Sequence, residues 1–110
     1  MRKPRQDRPR RFRGLPTAEI GGRRVPIATT RRSRLLGLAF LGEDAAGDGL
    51  LIPGCRSVHT FGMRFGLELV FLGEHLLPLS ERRLPPGRIA FEPRAQAVLE
   101  LPASSAAVTR

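Results

Sequence analysis

Short apolar segments separated by glycine and proline run through the second half of the chain, and this pattern restricts it to a mainly β fold. It predicts strands over residues 50–52, 57–61, 67–72, 75–79 and 94–101. Side chains alternate most regularly in the last strand, where one face carries Ala95, Ala97, Leu99 and Leu101. The prolines of residues 82–93 predict a loop with little regular structure.

Turn and cap residues organise the remaining elements. Gly21-Gly22 supplies the positive φ angles of a tight hairpin between residues 18–20 and 25–27. Gly73-Glu74 predicts a second hairpin over residues 67–79. Thr29 or Thr30 is a good N-cap for one short helix that ends at Leu41, whose apolar residues recur at helical spacing. The predicted fold class is therefore mainly β (α+β), an antiparallel sheet with one short helix in a single domain over residues 17–110.

The net charge of +9 is concentrated at the N-terminus. Residues 1–34 hold twelve basic and two acidic side chains, whereas residues 35–110 hold seven and eight. Residues 1–16 are rich in arginine and proline and poor in apolar side chains, which predicts a disordered basic tail. Clustered arginines bind phosphates, so the tail has a predicted weak contact with nucleic acid through Arg5, Arg8, Arg10, Arg11 and Arg13. Two other interpretations explain the same composition. The tail is a solvated extension without a role, or the gene start has been placed too far upstream.

Cysteine content and hydropathy point to the cytoplasm. A single cysteine, Cys55, forms no disulfide within the chain, which favours a reducing compartment. The basic N-terminus is not followed by the apolar run of a signal peptide, and no segment reaches the roughly 18 apolar residues of a membrane helix. We therefore predict a cytoplasmic protein that makes no membrane contact.

Polar and aromatic side chains gather in residues 54–72, which form the candidate site. Along one strand His59, Phe61 and Met63 share a face, while Val58 and Thr60 point the other way. Glu68 shares its face with two apolar residues of the next strand and requires a partner if it is buried. The expected partners are backbone amides or the side chains of Arg56, His59 and Arg64.

Several chemistries are compatible with this segment. The candidate binding pocket is formed by His59, Thr60, Arg64 and Glu68. A satisfied polar network that fixes strand register explains the same residues, and so does a small enzyme that uses His59 and Glu68 as acid and base. Thiol chemistry is disfavoured because four extended residues place Cys55 about 13 Å from His59. We predict no metal, no cofactor and no catalytic residue, since the chain has no paired metal-ligand spacing and no nucleotide motif.

A nucleic-acid surface on the fold itself is a further possibility. Phe61 and Phe65 alternate with Arg56 and Arg64, a composition found in the stacking platforms of small RNA-binding barrels. Burial of both phenylalanines in a small core is the competing interpretation. The near-neutral charge of residues 35–110 argues against a large nucleic-acid footprint.

The order of several motifs resembles the domain of unknown function 192 family over residues 25–103. These motifs are Ala28-Thr29-Thr30, Leu36-Gly37-Leu38, Leu50 to Pro53, Val58-His59-Thr60-Phe61-Gly62-Met63, Leu67-Glu68 and Leu99-Glu100-Leu101-Pro102-Ala103. His-Thr-Phe-Gly-Met marks one branch of that family. The resemblance implies a small β domain with a short helix, curled into a compact barrel-like sheet, and no established activity.

The chain departs from the family pattern at two places. Gly66-Leu67-Glu68 stands where the family has proline, an apolar residue and aspartate, so the turn is looser and the carboxylate is one methylene longer. A final family strand after residue 103 is also expected to be missing, which would leave a sheet edge for the N-terminal hairpin or a second subunit to cover. The predicted function is a small non-catalytic binding or accessory domain for an unknown small ligand or protein partner.

Overall fold

The computed structural model describes residues 12–30 and 49–103. These residues form eight strands, which are β1 (Thr17–Ile20), β2 (Arg23–Pro26), β3 (Leu50–Pro53), β4 (Ser57–His59), β5 (Leu67–Leu72), β6 (Pro78–Leu84), β7 (Ile89–Phe91) and β8 (Ala97–Pro102). The mainly β class is confirmed. The strands belong to three separate antiparallel sheets, so within the described residues the expected barrel is not closed. Closure fails because β4 pairs with β7 instead of joining the largest sheet.

The largest unit is a four-stranded sheet in the order β3-β8-β5-β6. Both faces are buried at its centre, where β8 lies, whereas the edge strand β6 is mostly exposed. One face contributes Leu50, Ile52, Leu67, Leu69, Phe71 and Val98 to the main core, and the other contributes Leu51, Leu72, Ala97, Leu99 and Leu101 to a second cluster. The predicted alternation is confirmed for Ala97, Leu99 and Leu101, whereas Ala95 precedes β8 and packs in the main core instead. Fully burying one large apolar side chain contributes about 1.5–3 kcal/mol, so this sheet supplies most of the hydrophobic stabilisation.

The N-terminal hairpin adopts the predicted form. β1 and β2 pair through the turn at Gly21 and Gly22, whose φ angles are 57° and 79°. After β2, Ile27 forms a parallel bridge with Leu51, and the Ala28 amide donates to the Leu51 carbonyl at 2.8 Å. The segment that follows the hairpin therefore pairs with the β3 edge of the sheet. The final family strand that was expected to be missing concerns residues 104–110, which lie outside the described residues.

Ordered packing extends into the range assigned to the tail. Phe12 and Leu15 are buried in the main core, and the Leu15 amide donates to the Phe12 carbonyl at 3.3 Å. These two large apolar side chains distinguish residues 12–16 in composition from the arginine-rich stretch that precedes them. Residues 1–11 of the predicted tail and residues 31–41 of the predicted helix lie outside the described residues.

Two predictions about the chain after β5 are wrong. The segment 82–93 is not an irregular loop, because β6 continues to Leu84 and β7 follows. The strand predicted over residues 75–79 begins only at Pro78, since a 3-10 turn occupies Glu74–Leu76. Within that turn His75 and Leu76 have φ angles of 57° and 59°, a left-handed conformation that lengthens the link between the two strands. No helix in the described ranges is long and apolar enough to cross a membrane.

Candidate functional site

Thr60 follows β4 and attaches it to the loop before β7. Its side chain is completely buried, and Oγ1 donates to the Pro85 carbonyl at 2.6 Å and accepts from the Arg88 amide at 2.8 Å. Its own amide donates to the Arg88 carbonyl at 2.8 Å, and its carbonyl accepts from the Gly87 amide at 3.0 Å. A hydroxyl has one proton and two acceptor positions, so these contacts use the proton and one acceptor position of Thr60 for structural partners.

The two neighbours of Thr60 point to solvent. His59 is exposed, and its ring stacks on that of Phe61 with centroids 5.1 Å apart and planes inclined by 22°. Phe61 keeps 51% of its surface exposed. Met63 packs against the main core instead of sharing their face, because the strand ends at His59 and the chain turns at Phe61 and Gly62.

β7 adds two more exposed apolar side chains next to this pair. Ile89 lies opposite His59 and Phe91 opposite Ser57 in the antiparallel register. They are 64% and 57% exposed, whereas Val58 and Ala90, on the inner side, are buried. We call the outward set, formed by His59, Phe61, Ile89 and Phe91, the ribbon face. Sequence reasoning missed the two β7 members of this face, Ile89 and Phe91, because β7 has only three residues and falls within the predicted loop.

Three arginines border the ribbon face in the chain. Arg56 immediately precedes β4, Arg88 immediately precedes β7, and Arg64 follows the turn after Phe61. All three are exposed, and among the described residues no carboxylate lies within ion-pair distance of them. The border of the face therefore carries positive charge that no acidic side chain of the described residues pairs with.

Glu68 is held on the central sheet. Its Oε1 lies 3.3 Å from Nη2 of Arg83, the residue directly opposite on β6. Arg83 was not among its expected partners, because the β5–β6 register that brings them together depends on the length of the link between these strands. Among the described contacts no hydrogen bond or ion pair joins Glu68 to His59 or Arg64. Of the four predicted pocket residues, Thr60 is thus a buried anchor and Glu68 forms an ion pair on the sheet. The other two, His59 and Arg64, are exposed.

Glu92 is a buried carboxylate that sequence reasoning also missed. Its Oε2 accepts from the Arg94 side chain at 3.1 Å and from the Arg94 amide at 3.3 Å, and the Ser80 hydroxyl donates to Oε1 at 3.3 Å. The hydrogen bond from the Arg94 side chain is the main cause that lowers the pKa of Glu92, with the Arg94 amide next. Because Ser80 belongs to β6, this carboxylate connects the end of β7 to the central sheet.

The described residues hold no group of three or more His, Cys, Asp or Glu side chains suited to a metal ion. Cys55 is partly buried, and its thiol donates to the Ser57 carbonyl at 3.1 Å. The remaining predicted contact residues fall in the tail. Arg13 is exposed, and Arg5, Arg8, Arg10 and Arg11 lie outside the described residues.

Comparison with known proteins gives one match. The model of the domain of unknown function 192 family, described as "Uncharacterized ACR", matches residues 16–110. No curated protein and no solved structure matches the chain. The match confirms the family indicated by the order of motifs and extends beyond the residues that carried the resemblance. Its description assigns no reaction, so the chemistry has to be argued from the site.

Proposed function

The chain belongs to the domain of unknown function 192 family, and from that premise we propose that it is a small non-catalytic binding domain whose contact surface is the ribbon face. The observation that carries this proposal is the exposure of Ile89 and Phe91 on the outward side of β7, together with that of Phe61 in the turn after β4, each more than half accessible. Contiguous exposed apolar side chains are uncommon on monomers and mark surfaces that bind a partner.

The signature residues support the same proposal. Thr60 anchors the start of the turn in which Phe61 lies. It also hydrogen-bonds to the backbone of Arg88, the residue that precedes Ile89. A buried residue that fixes the backbone beside exposed side chains is expected in a contact surface that is preformed before the partner binds. The alternative of acid–base catalysis has no comparable support, because no described contact joins His59 and Glu68.

A second exposed apolar group provides an internal control. Leu76 and Leu77, on the link between β5 and β6, and Leu79, at the start of β6, are exposed, and they come from one short stretch of chain. The ribbon face differs because its members come from two segments, β4 with its following turn and β7, that are separated in sequence by about thirty residues. Leu77, at 62% exposed, is the matched position for substitutions in Phe61 and Phe91.

The test is the double variant Phe61→Ser/Phe91→Ser in the full chain, with Leu77→Ser as its control. Exposed side chains that cover nothing change stability by no more than about 0.5 kcal/mol each, so both proteins should melt close to the wild type. Native mass spectrometry of protein purified gently from its own cells should show a bound partner on the wild type and on Leu77→Ser, and none on the double variant.

Two results would contradict the proposal. A double variant that melts several degrees lower would make the ribbon face part of the folded core. A bare wild-type polypeptide, or the same bound mass on all three proteins, would mean that this face binds nothing. The cytoplasmic location and the tail's contact with nucleic acid are separate predictions that this experiment leaves in place.

A further inference from the structure

Building on the proposed function, we propose that the partner of the ribbon face is single-stranded nucleic acid. Its bases would stack on the exposed rings, and its phosphates would pair with Arg56, Arg64 and Arg88. The inference goes beyond the proposed function by naming the chemical class of the partner and the role of each group of side chains.

Stacking is the first part of the argument. His59 stacks on Phe61 with 22° between the ring planes, which fixes the orientation of the Phe61 ring, and Phe61 keeps 51% of its surface exposed. Phe91 adds a second open ring on the adjacent strand. Proteins that bind single strands use rings in this way, because every base has a π-face and gains energy by stacking on an aromatic side chain. Paired bases within a duplex do not offer those faces.

Charge is the second part. Residues 55–65 and 87–95 contain four arginines and one carboxylate, that of Glu92. Glu92 is buried and paired with Arg94, and among residues 12–30 and 49–103 no carboxylate forms an ion pair with the other three arginines, which are exposed to an anionic partner. A guanidinium group binds phosphate through two parallel hydrogen bonds, which matches a nucleic-acid backbone.

The same charges disfavour other occupants of the ribbon face. A second copy of the chain would bring three arginines against three arginines, because a two-fold interface repeats the same patch on both sides. An acidic peptide satisfies the arginines but makes no particular use of flat, open rings. The peptide is therefore kept as an outcome of the test.

Binding is measured by fluorescence anisotropy with the full chain at several salt concentrations. The probes are a short labelled oligouridylate and, as a ligand with charge but no bases, inorganic polyphosphate of similar length. The variants are Phe61→Ala/Phe91→Ala for stacking and Arg88→Gln for charge. Leu77→Ala and Arg82→Gln are their controls, since both residues are exposed and lie outside the ribbon face. Every protein carries the same N-terminal arginines, so their contribution cancels in each comparison.

We expect distinct signatures for rings and arginines. Phe61→Ala/Phe91→Ala should weaken oligouridylate binding by at least about 5- to 150-fold, the effect of losing one stacked base, without changing its salt dependence. Arg88→Gln should weaken binding more modestly and reduce the slope of log K against log salt by about 0.7, the value for one phosphate contact in a single strand. The two control variants should bind like the wild type.

The proposal is overturned if polyphosphate binds the wild type as tightly as oligouridylate does, or if the ring variant keeps full affinity for oligouridylate. It is also overturned if an acidic, phenylalanine-containing peptide displaces the oligouridylate at lower concentration, which would identify a protein partner. In all three cases the binding role of the ribbon face survives if the double serine variant has lost its bound mass. A lowered melting temperature of that variant would instead contradict the proposed function itself.

Discussion

The central sheet and the pair formed by β4 and β7 differ in how many of their faces are buried. At its centre the sheet is buried on both faces, so all six residues of β8 are buried, and only its edge strand β6 is mostly exposed. The β4–β7 pair buries only Val58 and Ala90 and exposes the residues that alternate with them. In the sheet, alternation therefore distributes side chains between two cores. In the β4–β7 pair it separates a structural side from a side available for contact.

The difference also concerns what holds each unit in place. An isolated two-stranded pair is marginally stable in water, and each strand of this one has only three residues. Polar anchors at its ends supply the missing support, through Thr60 at one end and Glu92 at the other. Substitutions should therefore unfold the whole domain when they affect the sheet, and loosen only β4 and β7 when they affect an anchor.

The largest expected effect is that of Gly49→Ala at the start of β3. Gly49 has a φ angle of 92°, and an added Cβ would collide with the Glu100 carbonyl oxygen and come within 2.6 Å of Cδ2 of Leu101. The Glu100 carbonyl is backbone of β8 and cannot move without disturbing the pairing between β3 and β8. We expect a loss of more than about 4 kcal/mol in the free energy of unfolding, measured by urea denaturation, or no folded protein.

Gly22→Ala is the matched control for this variant. Gly22 also has a positive φ angle, 79°, but nothing lies within 4 Å of an added Cβ. Its substitution carries only the conformational cost of about 1–2 kcal/mol. Equal losses in the two variants would mean that the close approach between Gly49 and β8 is unimportant for the sheet.

Thr60→Val should have an intermediate effect that is confined to β4 and β7. Valine keeps the shape of threonine but leaves the Pro85 carbonyl and the Arg88 amide without their partner. A buried polar group without a hydrogen bond costs about 1–3 kcal/mol. Hydrogen exchange should show faster exchange of the Gly87 and Arg88 amides than in the wild type, while amides of β5 and β8 keep their protection.

The control for the hydroxyl is Thr60→Ser, which removes only the methyl group. It should preserve most of the protection at Gly87 and Arg88. If serine were as damaging as valine, packing of the methyl group rather than the hydrogen bonds would hold the loop against β4.

Sequence reasoning identified the elements whose stability is local or strongly apolar. It placed β5 at its observed bounds and the first hairpin at its observed turn, because a continuous apolar run and a Gly-Gly pair leave few alternatives. It missed β7, whose three residues lie between prolines and form a strand only through pairing with β4. That pairing is long-range, and no local pattern encodes it.

The candidate site could be predicted only in part, because some of its members come together through pairing between distant strands. The alternation of His59 and Phe61 with Thr60 was predicted correctly, and the structure adds that the threonine is the buried member. Ile89 and Phe91 could not be placed beside His59 without the register of β4 and β7. Arg83 likewise meets Glu68 only through the register of β5 and β6. Within the described residues, the alternation of side chains along one segment could be predicted from the sequence, but their partners on neighbouring strands could not.

The smallest predicted effect comes from Glu92 and appears only in acid. Its pKa is lowered in the folded protein by the hydrogen bonds from Arg94, and the Ser80 hydroxyl adds to them. The folded state therefore binds the proton less readily than the unfolded chain, in which glutamate has a pKa of about 4.3. The stabilisation is fully present above that pH and is lost as the pH falls through the lowered folded-state value.

Protonation should consequently release the end of β7 from Ser80 before it disturbs the central sheet. In acid titrations followed by hydrogen exchange, amides of β4 and β7 should lose protection at a higher pH than amides of β5 and β8. Glu92→Gln should flatten the acid dependence of stability, whereas Glu81→Gln, at an exposed position on β6, should leave it unchanged. Simultaneous loss of protection in both units would mean that the two regions unfold as one and that Glu92 does not separate them.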